Sequence, residues 1–292
     1  MSVPAAYVGV ILVWATTPLA IKWSGEGAGF LFGVSSRMMI GALLATMLVV
    51  AMRLPFPWHK QARQAYVTVA MMLYGSMLCT YWAIQYLPSG LISVLFGTTP
   101  LATAVLAALI LEEDALHMRH WVGIALGISG LAIIFGSDVA SSSLSSIGII
   151  AILLAVVIHS SSTVFLKRIN ADLPALSLTA GGLLVASTLY AITWLASNGV
   201  YLPTVPERTA WAIAYLGVFG SVIGFVLFYY ALKRVPANTM ALITLITPVA
   251  ALLLGNQLNG EPILAETWLG AGCIMLGLMI HQLQAPSTKN EA

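Results

Sequence analysis

From Gln64 to Leu111 the chain contains no Asp, Glu, Lys or Arg. A spanning helix needs roughly 20 mostly apolar residues, so this run is too long for one helix and too apolar for an aqueous surface. Leu87-Pro88-Ser89-Gly90 is the natural break, because Pro and Gly in succession end helices. The run therefore reads as two membrane spans. The rest of the chain agrees: 60% of its 292 residues are hydrophobic, 8% are charged, and the mean hydropathy is +0.96. A soluble domain carries about 25% charged residues. A soluble enzyme, a nucleic-acid binder and a disordered chain are excluded on these grounds.

The sequence predicts an all-α integral membrane protein with ten transmembrane helices. Its expected spans are 3–21, 29–52, the two halves of 64–111, 121–136, 147–166, 174–196, 209–232, one ending near Leu258, and 267–283. No Lys or Arg precedes the first run, so an uncleaved first helix is expected rather than a signal peptide. Cys79 and Cys273 both lie in apolar runs, which suits two packing thiols and no disulfide framework. No metal or cofactor is expected.

Positive charge in loops sets orientation. With the N-terminus inside, the cytoplasmic loops and tail hold Arg53, Lys60, Arg63, Arg119, Lys167, Arg168, Lys233, Arg234 and Lys289, against Lys22 and Arg208 outside. Both termini are expected in the cytoplasm.

The chain also contains itself twice. At an offset of 148 positions Tyr81 meets Tyr229, Ala83 meets Ala231, Pro88 meets Pro236, Thr99-Pro100 meets Thr247-Pro248, and Glu113 meets Glu261. One gap later, Trp121, Gly123 and Gly130 match Trp268, Gly270 and Gly277. A unit of five spans is odd, so the copies lie upside down to each other, as in alternating-access transporters. The expected organisation is a first five-helix repeat over 1–136, a linker over 137–146, an inverted repeat over 147–284 and a short tail over 285–292.

These residues resemble the drug/metabolite transporter superfamily in its ten-helix EamA branch. Trp14 and Lys22 match the family's first-helix pattern, with Ala15 in place of a glycine, and Arg37 sits where the second helix often carries an arginine. The segment Ala83 to Pro88, then Pro100 and Glu113, is the most characteristic; Ala231 to Pro236, Pro248 and Glu261 repeat it. The resemblance implies a transporter of small metabolites in a bacterial inner membrane, similar to the YddG-type amino acid exporters. Its partners would be a small-molecule substrate and the lipid bilayer, with no nucleic acid, and it would act as a monomer. Purine, nucleotide-sugar or drug export is the alternative within the superfamily. A membrane-embedded enzyme would need a catalytic cluster, and His159 beside Ser160 is the only hint of one.

Substrate is expected near the midplane, among Trp14, Thr17, Tyr74, Tyr81, Thr99, His159 and Thr163. Ring faces would cover an apolar side chain and hydroxyls would hold an amino-acid head group. Pro100 and Pro248 are symmetry mates within spans, fit either to shape gating helices or to shape packing. Arg37 could snorkel outward or pair with carbonyls. The glycine pairs 123/127 and 220/224 permit close helix approach. All ten Asp and Glu fall in loops, at helix ends or in the tail, so no carboxylate offers a proton relay. Facilitated diffusion is the simpler mechanism, and His159 is the one group that could couple protons.

Overall fold

The computed structural model describes residues 2–111, 118–141, 146–198, 203–232 and 237–282, all of them in helices, turns or short connections, with no strand among them. In chain order the helices are α1 (Val3–Ser24), α2 (Phe30–Ala51), α3 (Lys60–Met71), α4 (Met77–Ala83), α5 (Ser89–Phe96), α6 (Thr99–Ile110) and α7 (Met118–Ser141). They continue as α8 (Ser146–Ile169), α9 (Ala175–Asn198), α10 (Glu207–Tyr215), α11 (Gly224–Leu232), α12 (Ala237–Asn259) and α13 (Ala265–Gln282). Short π-helical segments, Met72–Ser76 and Leu216–Ile223, join α3 to α4 and α10 to α11 without a break. Among the described residues, six helical stretches are long and apolar enough to cross a membrane, and three shorter apolar helices accompany them.

The helix breaks follow side-chain chemistry. Pro88 divides the charge-free run where expected, and it caps α5 because its fixed φ of −58° suits the residue before a helix. One expected boundary shifts. Helix α7 runs past Gly136 to Ser141, so the first half of the expected 137–146 linker is helical; residues 142–145 lie outside the described residues. No proline stands between Gly136 and Ser141, so nothing removes a donor from the helical ladder there.

Leu12, Leu43, Val50, Leu109, Trp211 and Leu269 point outward from their helices and are exposed. Such apolar outer faces are stable only where lipid replaces water. Inside, Tyr66, Tyr81 and Tyr190 are fully buried. The Tyr190 hydroxyl reaches the carbonyls of Leu73 and Tyr74 at 3.2 and 2.9 Å, in the first π-helical segment. It thereby meets backbone acceptors that the wider turn leaves open.

Helices α7 and α13 approach through glycine. A Cβ built on Gly130 would lie 2.5 Å from the Gly270 carbonyl oxygen, and one on Gly277 would lie 2.5 Å from that of Gly123. Only glycine allows backbones this close, as in the small-residue interfaces of membrane helices.

Candidate functional site

Pro100 has no N–H to donate to the carbonyl of Phe96, so the helix through 89–110 breaks at Gly97 and Thr98. Threonine hydroxyls repair the damage. Thr99 Oγ1 donates to Phe96 O at 2.5 Å and Thr98 Oγ1 to Leu95 O at 2.7 Å. From α8, Ser160 Oγ donates to Thr99 O at 3.2 Å. Non-helical backbone at membrane depth requires such internal partners. Pro100 therefore opens α6 after a break, whereas its mate Pro248 lies inside the continuous α12. Pro248 faces the break itself: a Cβ on Gly97 would be 3.5 Å from Pro248 Cγ.

The break leaves a cleft of about 420 Å³ between α6 and α8, with Thr99, Pro100 and Thr103 on one wall and His159, Thr163 and Lys167 on the other. Ligand pockets commonly run from about 300 to 1,000 Å³, so the volume suits a small metabolite. Its polar lining is hydroxyls, one imidazole and one ammonium, and no carboxylate stands among the lining residues. His159 presents its ring edge-on to Phe96, with centroids 5.2 Å apart at 80°. Its Nδ1 is buried without a hydrogen-bond partner among the described residues. Thr163 Oγ1 donates to His159 O at 2.9 Å, which leaves the hydroxyl oxygen able to accept.

The expected site residues thus separate. Thr99, His159 and Thr163 line the cleft together with Pro100; Trp14, Thr17, Tyr74 and Tyr81 do not. Trp14 stacks on Phe228 at 5.0 Å, and Thr17 Oγ1 donates within α1 to Val13 O at 2.6 Å. Tyr74 shares a 2.7 Å hydrogen bond with Thr193 and packs on Tyr190. Tyr81 is fully enclosed, its hydroxyl 3.5 Å from the Ser24 hydroxyl. Arg37 does not snorkel outward. It is 5% exposed, and its Nε donates to Ser221 Oγ of the second π-helical segment at 3.1 Å.

A second polar cluster escaped the sequence reading. Lys22 Nζ at the end of α1 donates to Glu261 Oε1 at 2.9 Å, in the turn between α12 and α13. The other carboxylate oxygen accepts from the backbone N–H and the hydroxyl of Ser89, at 2.7 and 2.8 Å, at the start of α5. Asn259 Nδ2 adds a donor to Oε1 at 2.9 Å, and Trp23 Nε1 donates to Asn259 Oδ1 at 3.0 Å. Alongside, Arg208 pairs with Glu26 and lies over the Trp23 ring. Burial by itself would raise the Glu261 pKa, but hydrogen bonds from Lys22, Ser89 and Asn259 and the Lys22 charge hold it below its ordinary value. The repeat had marked Glu261, but its place in a loop carried no hint of these partners.

Comparison with known proteins gives a family, several relatives and a shared fold. The model of the EamA-like transporter family matches residues 4–136 and 146–281. The inner membrane transporter YedA of Escherichia coli is 26% identical over 286 residues, covering 95% of this chain and 90% of its own. The transporter YoaV of Bacillus subtilis is 22% identical, covering 94% of each chain. Protein PagO of Salmonella typhimurium is 24% identical, covering 96% of this chain and 92% of its own. A solved crystal structure aligns with a TM-score of 0.67 at 20% identity, over 96% of this chain and 97% of its own, which establishes a shared fold.

Proposed function

This chain belongs to the EamA-like transporter family, and on that premise we propose that it is an alternating-access exporter of amino acids, aromatic ones included, working by facilitated diffusion. It would be a monomer that crosses a bacterial inner membrane ten times with both termini in the cytoplasm. The observation that carries the reading is the α6–α8 cleft. Lys167 and the hydroxyls of Thr99, Thr103 and Thr163 can meet a carboxylate, while Pro100 and nearby apolar groups can cover a side chain. A substrate ammonium finds no carboxylate among the lining residues and must use hydroxyls, carbonyls or ring faces. Weak, tolerant binding follows, and transport then runs down the substrate's own gradient.

The glycine interface supports the inverted repeat. By sequence, Gly123 corresponds to Gly270 and Gly130 to Gly277; in space, Gly130 meets Gly270 and Gly123 meets Gly277. Exchanged contacts between mates are what a two-fold axis produces. Positions rise on α7 as they fall on α13, so the axis crosses the helices and lies in the membrane plane.

The test is counterflow and net uptake in vesicles with an amino-acid panel, with and without an imposed pH gradient, for wild type and His159→Gln. Flux indifferent to the pH gradient is expected. Uphill accumulation driven by protons and lost in the variant would make His159 the coupling residue. Purine flux without amino-acid flux would overturn the substrate assignment.

A further inference from the structure

The Glu261 cluster lies at the end of the molecule away from the cleft mouth. The start of α8 packs beside the turn that leads into Ser89: a Cβ on Gly148 would be 2.9 Å from Leu87 Cγ and 3.0 Å from Tyr86 Cβ. From there α8 runs toward Lys167, about 28 Å further along its axis at 1.5 Å per residue. The cleft opens along His159, Thr163 and Lys167, on the half of α8 remote from Ser89 and Glu261. One end of the bundle is thus tied together where the other end is hollow.

The tie has a distinct construction. A single carboxylate, itself 6% exposed, joins three places: the end of α1, the start of α5, and the turn between α12 and α13. The first two belong to the first half of the sequence and the third to the second half. Each bond is polar and individually reversible. The α7–α13 contact between the same halves is backbone against backbone, which suits a fixed pivot. Space for the carboxylate comes from Gly255, where a Cβ would lie 2.6 Å from Glu261 Oε2 and 2.9 Å from Ser89 Oγ.

We propose that Lys22, Ser89 and Glu261 form the latch that closes this end of the transport path and that must open in every cycle. The inference rests on the transporter reading above and adds the residues that alternate. When the latch parts, Glu261 and Lys22 become hydrated, and α5 loses the carboxylate at its N-terminus. That carboxylate is favourably placed against the helix dipole. Closing restores these contacts together, so the latch behaves as a two-state element.

The experiment measures the latch without any substrate. Spin labels on Gln85→Cys and Ala265→Cys, both exposed positions flanking the cluster, report the separation of the α4–α5 turn from the start of α13 in a background lacking Cys79 and Cys273. Wild type should give one narrow distance distribution. Lys22→Gln, Glu261→Gln and Gly255→Ala should each add a longer component, shifting the open-to-closed ratio by about 5- to 150-fold, the usual range for a coupling of this kind. Ser89→Ala keeps its backbone N–H and should shift the ratio less. Melting curves in detergent accompany each variant. A longer distance component in these variants marks a latch, whatever the change in melting temperature, whereas a lowered melting temperature with an unchanged distance marks a static brace and overturns the proposal. Should the three stronger variants fail to fold, Ser89→Ala decides between the same two results. Failure of the transport reading would appear separately, as wild-type vesicles that move neither amino acids nor purines.

Discussion

Replacing Gly270 with alanine tests the α7–α13 interface directly. The new methyl carbon would lie 2.7 Å from Gly130 O and 2.5 Å from Ile134 Cγ1. Ordinary contact begins near 3.4 Å, so the helices would have to part by about 0.7–0.9 Å. A gap of that size forfeits about a quarter to a half of each dispersion contact along the seam. Overpacking of this kind costs about 1–3 kcal/mol, against which alanine's better helix propensity returns about 1 kcal/mol. Gly272 is the internal control, because a Cβ there meets nothing within 4 Å. Gly272→Ala should be neutral or stabilising by up to about 1 kcal/mol. Purified variants in detergent, melted under identical conditions, should place Gly270→Ala below wild type by up to about 8 °C, from a net cost of up to about 2 kcal/mol at about 2–4 °C per kcal/mol. Gly130→Ala should act likewise, since its Cβ would lie 2.5 Å from Gly270 O. The double variant should cost less than the sum of the singles, because the first separation makes room for the second methyl. Equal melting of Gly270→Ala and Gly272→Ala would refute the close approach and, with it, the two-fold argument built on it.

Three further outcomes are expected. Pro100→Ala and Pro248→Ala should each slow vesicle transport while the folded protein still accumulates in membranes; unchanged rates in both would leave the prolines a packing role alone. Single cysteines at Lys60 and Glu207, in a background without Cys79 and Cys273, should react with impermeant thiol reagents from opposite sides of the membrane, and labelling from one side would refute the orientation. The Glu261 carboxyl is held below its ordinary value, with Lys22 as the charged group facing it, so its contribution is complete at neutral pH and is lost as pH falls through the folded-state pKa. Wild type should therefore melt above Glu261→Gln at pH 7, and the gap should close on acidification below about pH 4.5; a constant gap would count against an ionised latch.

The sequence by itself determined the solvent, the family and the places where helices stop. A charge-free run from Gln64 to Leu111 can only live in lipid, and proline dictates its breaks because a missing N–H is a local fact. Pro88 and Pro100 act this way whatever surrounds them. How the helices turn toward one another is a different matter. In water, the apolar stripe of a helix marks its buried face, but in a bilayer the lipid-facing side is as apolar as the core. Helix α1 is apolar all round, so its sequence gave no sign that Trp14 would stack on Phe228 or that Thr17 would bond within its own helix. The same blindness left Tyr81 among the expected substrate contacts, although it is enclosed in the core. Thr99, His159 and Thr163 came together because the break before Pro100 bends α6 against α8, a neighbourhood set by tertiary packing. The pairing of Lys22 with Glu261 spans nearly the whole chain, and no local pattern can specify a partner at that separation. Only the folding of both halves against each other brings the ammonium, the serine and the carboxylate into hydrogen-bonding range.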